Sequence, residues 1–224
     1  MHFDMTQLIP VLPEIFILSL ACVVLVIDLF LEQKQRIISY GITQVGLILA
    51  MALTLAVGGQ QSQILFDGSY IRDAMSDVLK VAIFLVSFLA FLYAKDYLRD
   101  RGLFKGKFYT LGLFAVLGMS IMVSANSFLT IYLGLELLAL SLYALVAFNR
   151  KSQAGAEAAM KYFVLGALAS GMLLYGISMI YGATGVIRFD ELTRILSEKG
   201  MDNMVLIFGL VFVVIGLAFK LGAV

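Results

Sequence analysis

Seven apolar runs of about 20 residues each take up most of the chain. They are Val11–Leu31, Ile37–Val57, Val78–Ala94, Phe108–Ser124, Phe128–Phe148, Ala156–Tyr181 and Met204–Val224. A helix of that length crosses a hydrocarbon layer about 30 Å thick, and only a helix or a closed barrel satisfies its own backbone there. The polar residues agree. Charged residues are 14% of the chain, against about 25% in a soluble domain. The expected fold is all-α, a polytopic bundle of about seven transmembrane helices. The tightest connection, Ala125-Asn126-Ser127, makes the fourth and fifth runs an antiparallel hairpin. No internal repeat and no Pro- or Ser-rich linker interrupts the pattern, so residues 1–224 read as a single transmembrane domain.

Lys and Arg divide unevenly between the two sets of loops. Lys34, Arg36, Lys95, Arg99, Arg101, Lys105, Lys107, Arg150 and Lys151 fall on one side; Arg72, Arg188, Arg194 and Lys199 fall on the other. The positive-inside rule then predicts an N-terminus outside and a last residue at the cytoplasmic face. The first run lacks a basic leader and a small-residue cleavage site, so it stays as a helix. Between the sixth and seventh runs, Arg188–Gly200 has the pattern of a short amphipathic helix at the interface. Asp190 stands at its N-cap, Leu192, Ile195 and Leu196 lie on one side, and Gly200 is its stop. A net charge of +1 gives nucleic acid no purchase, and the single Cys22 can form no intrachain disulfide. His2 stands in the terminal tail, so a metal site is not expected.

Two ionisable side chains break the apolar pattern at membrane depth, Glu136 and Lys220. The run around Glu136 holds twelve Leu, Ile, Val or Phe residues, worth roughly −4 to −7 kcal/mol against about +2.5 to +3.5 for one central acid, so the helix inserts despite the charge. Intramembrane charges that insertion merely tolerates are candidates for function. One stripe of the Glu136 helix carries Tyr132, Ala139 and Tyr143 and should face protein or water. The matching stripe beside Lys220 is Gly209, Val213, Gly216 and Ala223, small enough to admit another helix, and Gly216 with Gly222 brackets a place where the helix can break. Lys220 also lies near enough to the end of its run to snorkel. Lys161 pairs with Glu157 at i,i+4 in the favourable order. Glu14 belongs to a first helical turn after Pro10 and Pro13. Asp28, Glu32, Asp77 and Lys80 read most simply as interfacial.

No phosphate-binding loop, cysteine cluster or activated nucleophile is visible, so any catalysis is vectorial. Burial opposes charge on an acid and on an amine alike, whereas their mutual attraction favours it. Changing the separation or hydration of such a pair loads or releases a proton, and the titration belongs to the pair.

The stretch Ile131-Tyr132-Leu133-Gly134-Leu135-Glu136-Leu137-Leu138, then Ser141-Leu142-Tyr143, Glu157-Ala158-Ala159-Met160-Lys161-Tyr162-Phe163 and Gly216-Leu217-Ala218-Phe219-Lys220, resembles the antiporter-like subunits of bacterial respiratory complex I, the NADH:quinone oxidoreductase. The opening Leu12-Pro13-Glu14-Ile15 and Asp28-Leu29-Phe30 are similar to the subunit N group. The resemblance implies a proton-translocating subunit of the bacterial inner membrane, with Glu136 and Lys220 as the key ion pair and Lys161 as an auxiliary charge. It implies other membrane subunits of the complex as partners, antiporter-like neighbours above all. It implies no cofactor in this chain, with NAD, FMN, iron–sulfur clusters and quinone held elsewhere in the complex. Family members have about fourteen helices, so the chain reads as the first half of a longer subunit. A multisubunit cation/proton antiporter would share Glu136 and Lys220. A seven-helix retinal protein would share the last-helix lysine, but this chain has no Trp and no acid inside the third run.

Overall fold

A computed structural model describes residues 5–58, 62–199 and 203–222; His2, Gly200 and Ala223, named above, lie outside them. The apolar runs become α1 (Leu12–Phe30), α2 (Ile37–Val57), α3 (Ala74–Asp100), α4 (Gly106–Val123), α5 (Phe128–Val146), α6 (Gln153–Thr184) and α8 (Met204–Lys220). Six helices are long and apolar enough to cross a membrane, counting α1 from Leu8, and α8 is a 17-residue apolar helix. Large apolar side chains such as Leu29, Leu55, Val86, Leu133, Leu168 and Val214 cover the outside.

The helices form two cores. In the first, α4 packs against α1, α3 and α2 around Ile17, Val24, Leu47, Phe84, Tyr109 and Leu113. In the second, α6 lies along α8 with Leu173, Ile177, Ile180, Leu206 and Val213 between them. The connecting helix is α5: Leu137 packs on the first core, and Phe128, Tyr132 and Leu135 pack on the second. Glycines set the closest crossings. A Cβ on Gly118 would stand 2.7 Å from the Gly134 carbonyl oxygen, and one on Gly176 would stand 2.6 Å from that of Gly209.

Between α2 and α3 the chain forms a hairpin that hydropathy does not signal, β1 (Gln63–Leu65) against β2 (Tyr70–Arg72). Within the four-residue connection Phe66 and Asp67 both take φ of 52°, and Gly68 N donates to Leu65 O at 3.2 Å to close a tight left-handed turn. The hairpin is sewn to the rest of the bundle through main-chain bonds. Ile71 N donates to Ser124 O at 2.8 Å and Asn126 N to Ser69 O at 3.0 Å. Phe128 N then donates to Ile187 O at 3.0 Å and Phe189 N to Asn126 O at 3.2 Å. The turn between α4 and α5 therefore lies between the hairpin and the segment that leads into α7 (Phe189–Lys199).

The structure corrects several sequence expectations. Asp190 is not the N-cap of α7: the helix already includes Phe189, and the Asp190 carboxylate accepts from Arg188, a bond that holds it below the usual carboxylate range. Leu192 and Leu196 pack on the second core, so this amphipathic helix docks on the bundle. Lys80, read as a simple interfacial charge, is enclosed by the protein: it is 0% exposed and lies 2.6 Å from Glu14. Asp28 accepts from the Gly106 amide at 3.1 Å and so caps α4 across the bundle. Lys80 and Asp28 share one cause, since hydropathy scores a charged side chain alone and these two find partners far away in sequence. Nor does α8 break at Gly216, which instead packs against Ala169 and Leu173 of α6.

Gly68 joins the hairpin turn to Arg188: its φ is +85°, and a Cβ there would overlap the Arg188 guanidinium. Gly68→Ala should destabilise the protein by about 1–3 kcal/mol. Hydrogen exchange in detergent should show faster opening of residues 62–72 and 185–189 with the α6–α8 core unchanged.

Candidate functional site

Glu136, Ser170 and Lys220 come from three different helices and meet at one point. Ser127 caps α5 by accepting from Thr130 N at 3.2 Å, and Glu136 stands just past the second turn beyond, on the side facing α6. On α6 the buried face is a row of small residues, Ala159, Gly166, Ala169 and Ser170, which continues to Gly176. That row lets α8 approach through Gly209 and Gly216, and the approach carries Lys220 inward.

Lys220 Nζ donates to Ser170 Oγ at 2.7 Å and to Glu136 Oε1 at 3.2 Å, and the Ser170 hydroxyl donates to the same carboxylate oxygen. Only 11% of the lysine side chain and 22% of the glutamate side chain are exposed, and Ser170 is 4% exposed. Lys220 therefore reaches its acid and does not snorkel. Its ammonium also lies 5.9 Å from the centre of the Tyr143 ring, where the face of the ring favours a cation. Tyr143 is held in turn by edge contacts with Tyr162 and Phe163. The Ala139 and Tyr143 stripe faces protein, as the sequence predicts.

A hydroxyl that accepts from an ammonium and donates to a carboxylate is placed to relay a proton between them. A proton can leave the lysine for the serine oxygen while the serine proton passes to the carboxylate, which turns a charged pair into a neutral one. Lys161 lies outside this contact: its ammonium is 2.6 Å from Glu157, with side chains 70% and 65% exposed. Ser170 was missed in the sequence because hydroxyls are common along α6. The signal available was its place in the row of small residues. Among the described residues no group of three or more His, Cys, Asp or Glu is placed to hold a metal ion.

A protein-family model described as NADH:quinone oxidoreductase/Mrp antiporter, TM, matches residues 125–224. NADH-quinone oxidoreductase subunit N of Thioalkalivibrio sulfidiphilus is 54% identical over 225 residues, covering 100% of this chain and 47% of that protein. Its counterpart in Neisseria gonorrhoeae is 51% identical, with the same coverage of both chains. The chain spans about half the length of the curated relatives it matches. A chain of respiratory complex I from Thermus thermophilus superimposes with a TM-score of 0.72 at 29% identity, over 93% of this chain and 43% of that one. A chain of the membrane-bound sulfane sulfur reductase, an archaeal respiratory membrane complex, gives a TM-score of 0.73 at 25% identity, over 95% and 44%.

The Tyr143 hydroxyl occupies the space beside Gly166, where any Cβ would overlap it. Gly166→Ala should push the ring away from Lys220 and destabilise the α5–α6 contact by about 1–3 kcal/mol. Thermal unfolding in detergent should show the loss, and Tyr143→Phe in the same background should restore part of it.

Proposed function

From a chain homologous along its whole length to NADH-quinone oxidoreductase subunit N, we propose a proton-translocating membrane subunit of NADH:quinone oxidoreductase that carries protons through Glu136, Ser170 and Lys220. The observation that carries this reading is the three-helix contact itself. An acid and an amine, 84 residues apart, meet among three apolar helices with a hydroxyl between them.

In this reading Lys220 holds the proton as an ammonium, Ser170 passes it, and Glu136 takes it. The charged state is favoured while the pair is close, and the neutral state once separation or desolvation weakens the attraction. A movement of α8 against α5 in the assembled complex therefore loads or releases a proton. Lys161, exposed and paired with Glu157, serves as an auxiliary charge. The unit acts as one transmembrane domain. Antiporter-like subunits and the lipid bilayer are its partners. Redox chemistry belongs to other subunits: an iron–sulfur cluster needs four ligands, usually cysteines, and this chain has one cysteine. NAD, FMN and quinone sit with those subunits as well.

The uneven distribution of Lys and Arg supports an orientation with the N-terminus and the hairpin outside and residue 224 at the cytoplasmic face of the bacterial inner membrane. A second reading, a multisubunit cation/proton antiporter, is favoured by the family description, which covers both kinds of protein. The named relatives favour the first.

In the complete subunit within the assembled complex, Glu136→Gln should lower proton pumping by about 10²-fold or more while assembly persists. Lys220→Arg keeps the charge but cannot give up its proton at neutral pH, so it should assemble and pump poorly. Normal pumping by the assembled Glu136→Gln variant would overturn the role. Topology has its own check: a cysteine introduced at Lys105 should resist an impermeant thiol reagent added outside intact cells.

A further inference from the structure

At the hairpin end of the bundle stands a second acid, hydroxyl and amine with the same connections as the first. Lys80 Nζ lies 2.6 Å from Glu14 Oε1 and donates to the Tyr70 hydroxyl at 2.9 Å. The Tyr70 hydroxyl donates to Glu14 Oε1 at 2.9 Å. Lys80 is 0% exposed, and Glu14 and Tyr70 are each 5% exposed, so this group is more enclosed than the one at Glu136. Glu14 comes from the first turn of α1, Lys80 from the second turn of α3 and Tyr70 from β2. The other charges nearby are satisfied by each other: Arg72, on β2, holds Asp77 of α3 at 3.0 Å and donates to Thr54 O at 3.3 Å. Two buried oxygens in the group, Glu14 Oε2 and Ser124 Oγ, have no hydrogen-bond partner among the described residues.

A purely structural role accounts poorly for this arrangement. A buried ion pair is weak as a source of stability, and apolar side chains of similar volume often serve as well or better. An acid, an amine and a neutral hydroxyl within hydrogen-bonding reach of one another are what a proton-holding site needs. Tyr70 keeps its own proton, because burial first and the Glu14 charge second hold its phenol above the ordinary range. It also joins the two sites mechanically. Tyr70 forms a β-bridge with Ala125, two residues before the Ser127 cap of the helix that carries Glu136.

We propose that Glu14, Tyr70 and Lys80 form a second proton-holding site at the hairpin end of the bundle, in which one proton passes between Lys80 and Glu14 through the Tyr70 hydroxyl. In the transfer an N–H bond of the Lys80 ammonium breaks as its proton bonds to the Tyr70 oxygen. The original Tyr70 O–H bond breaks as that proton bonds to Glu14. An ammonium and a carboxylate become an amine and a carboxylic acid, and the net charge is unchanged. The inference rests on the proton-translocating reading above.

The test is made in the complete subunit, in the assembled complex reconstituted into vesicles, with proton uptake measured per quinone reduced across a range of pH. Tyr70→Phe keeps the ring, with its edge contact to Phe66 at 6.2 Å, and removes only the hydroxyl. The double variant Glu14→Gln, Lys80→Met leaves no uncompensated charge, so a loss of uptake in the assembled complex reports the missing proton site rather than a stranded buried charge. Both variants should assemble normally, lower proton uptake by about tenfold or more, and lose the pH dependence of what remains. Unmodified uptake in either assembled variant overturns the proposal, and so does failure of the charge-free double variant to assemble, since the group is then structural. Glu136→Gln runs beside them. If it alone abolishes uptake, only this second site falls; if it pumps normally, the proton-translocating reading falls with it.

Discussion

The approach of α8 to α6 is closer than side chains would allow, and the ion pair exists because of it. Gly176 faces Gly209, and Gly216 faces Ala169 and Leu173, so backbone meets backbone where lipid tails offer no hydrophobic drive for helices to associate. That contact fixes where α8 lies, and the last residue of α8 is Lys220. Charge and packing therefore depend on each other. The glycine row delivers the ammonium, and the Glu136–Ser170 pair gives it a partner in a place where an unpaired charge would cost several kcal/mol.

The part of this architecture that hydropathy encodes is legible in the sequence: seven apolar runs, the α4–α5 hairpin, and two charges at membrane depth. The side of the α5 helix that bears Glu136 is legible as well, because Ala139 and Tyr143 share its stripe by simple helical geometry. What distant parts of the chain do to one another is not legible. Ser170 looks like any other hydroxyl on an apolar helix until α8 brings Lys220 beside it. Lys80 looks like an interfacial charge, and Glu14 like a first-turn acid, until the fold brings them together. The hairpin Gln63–Arg72 was invisible for a related reason: each strand has three residues, too few for a period-2 pattern, and its pairing is completed by the α4–α5 turn.

A membrane bundle normally excludes charge or pairs it once. This chain does so with the same chemical device twice, in one core and at the edge of the other. In both, the amine donates to a hydroxyl and the hydroxyl donates to the acid. The exposed pair Lys161–Glu157 and the Arg72–Asp77 pair have no hydroxyl between their charges. The difference is one of geometry: in the two buried groups a hydroxyl bridges the charges, and in the other two pairs the charges meet directly.

The main-chain bonds among β2, the Ala125–Ser127 turn and the Ile187–Phe189 segment tie the two cores together at one end. Any rotation of the α6–α8 core against the α1–α4 core would have its axis there, because stretching those bonds costs more than sliding apolar helix faces past each other. Displacement would then grow with distance from that end. Lys220 lies 16 residues along α8 from its start at Met204, about 24 Å of helix. A tilt of a few degrees therefore moves the Lys220 ammonium through an ångström or more and leaves Tyr70 almost still. The long arm of this lever ends on a hydrogen bond, the kind of contact whose strength changes most over such a distance.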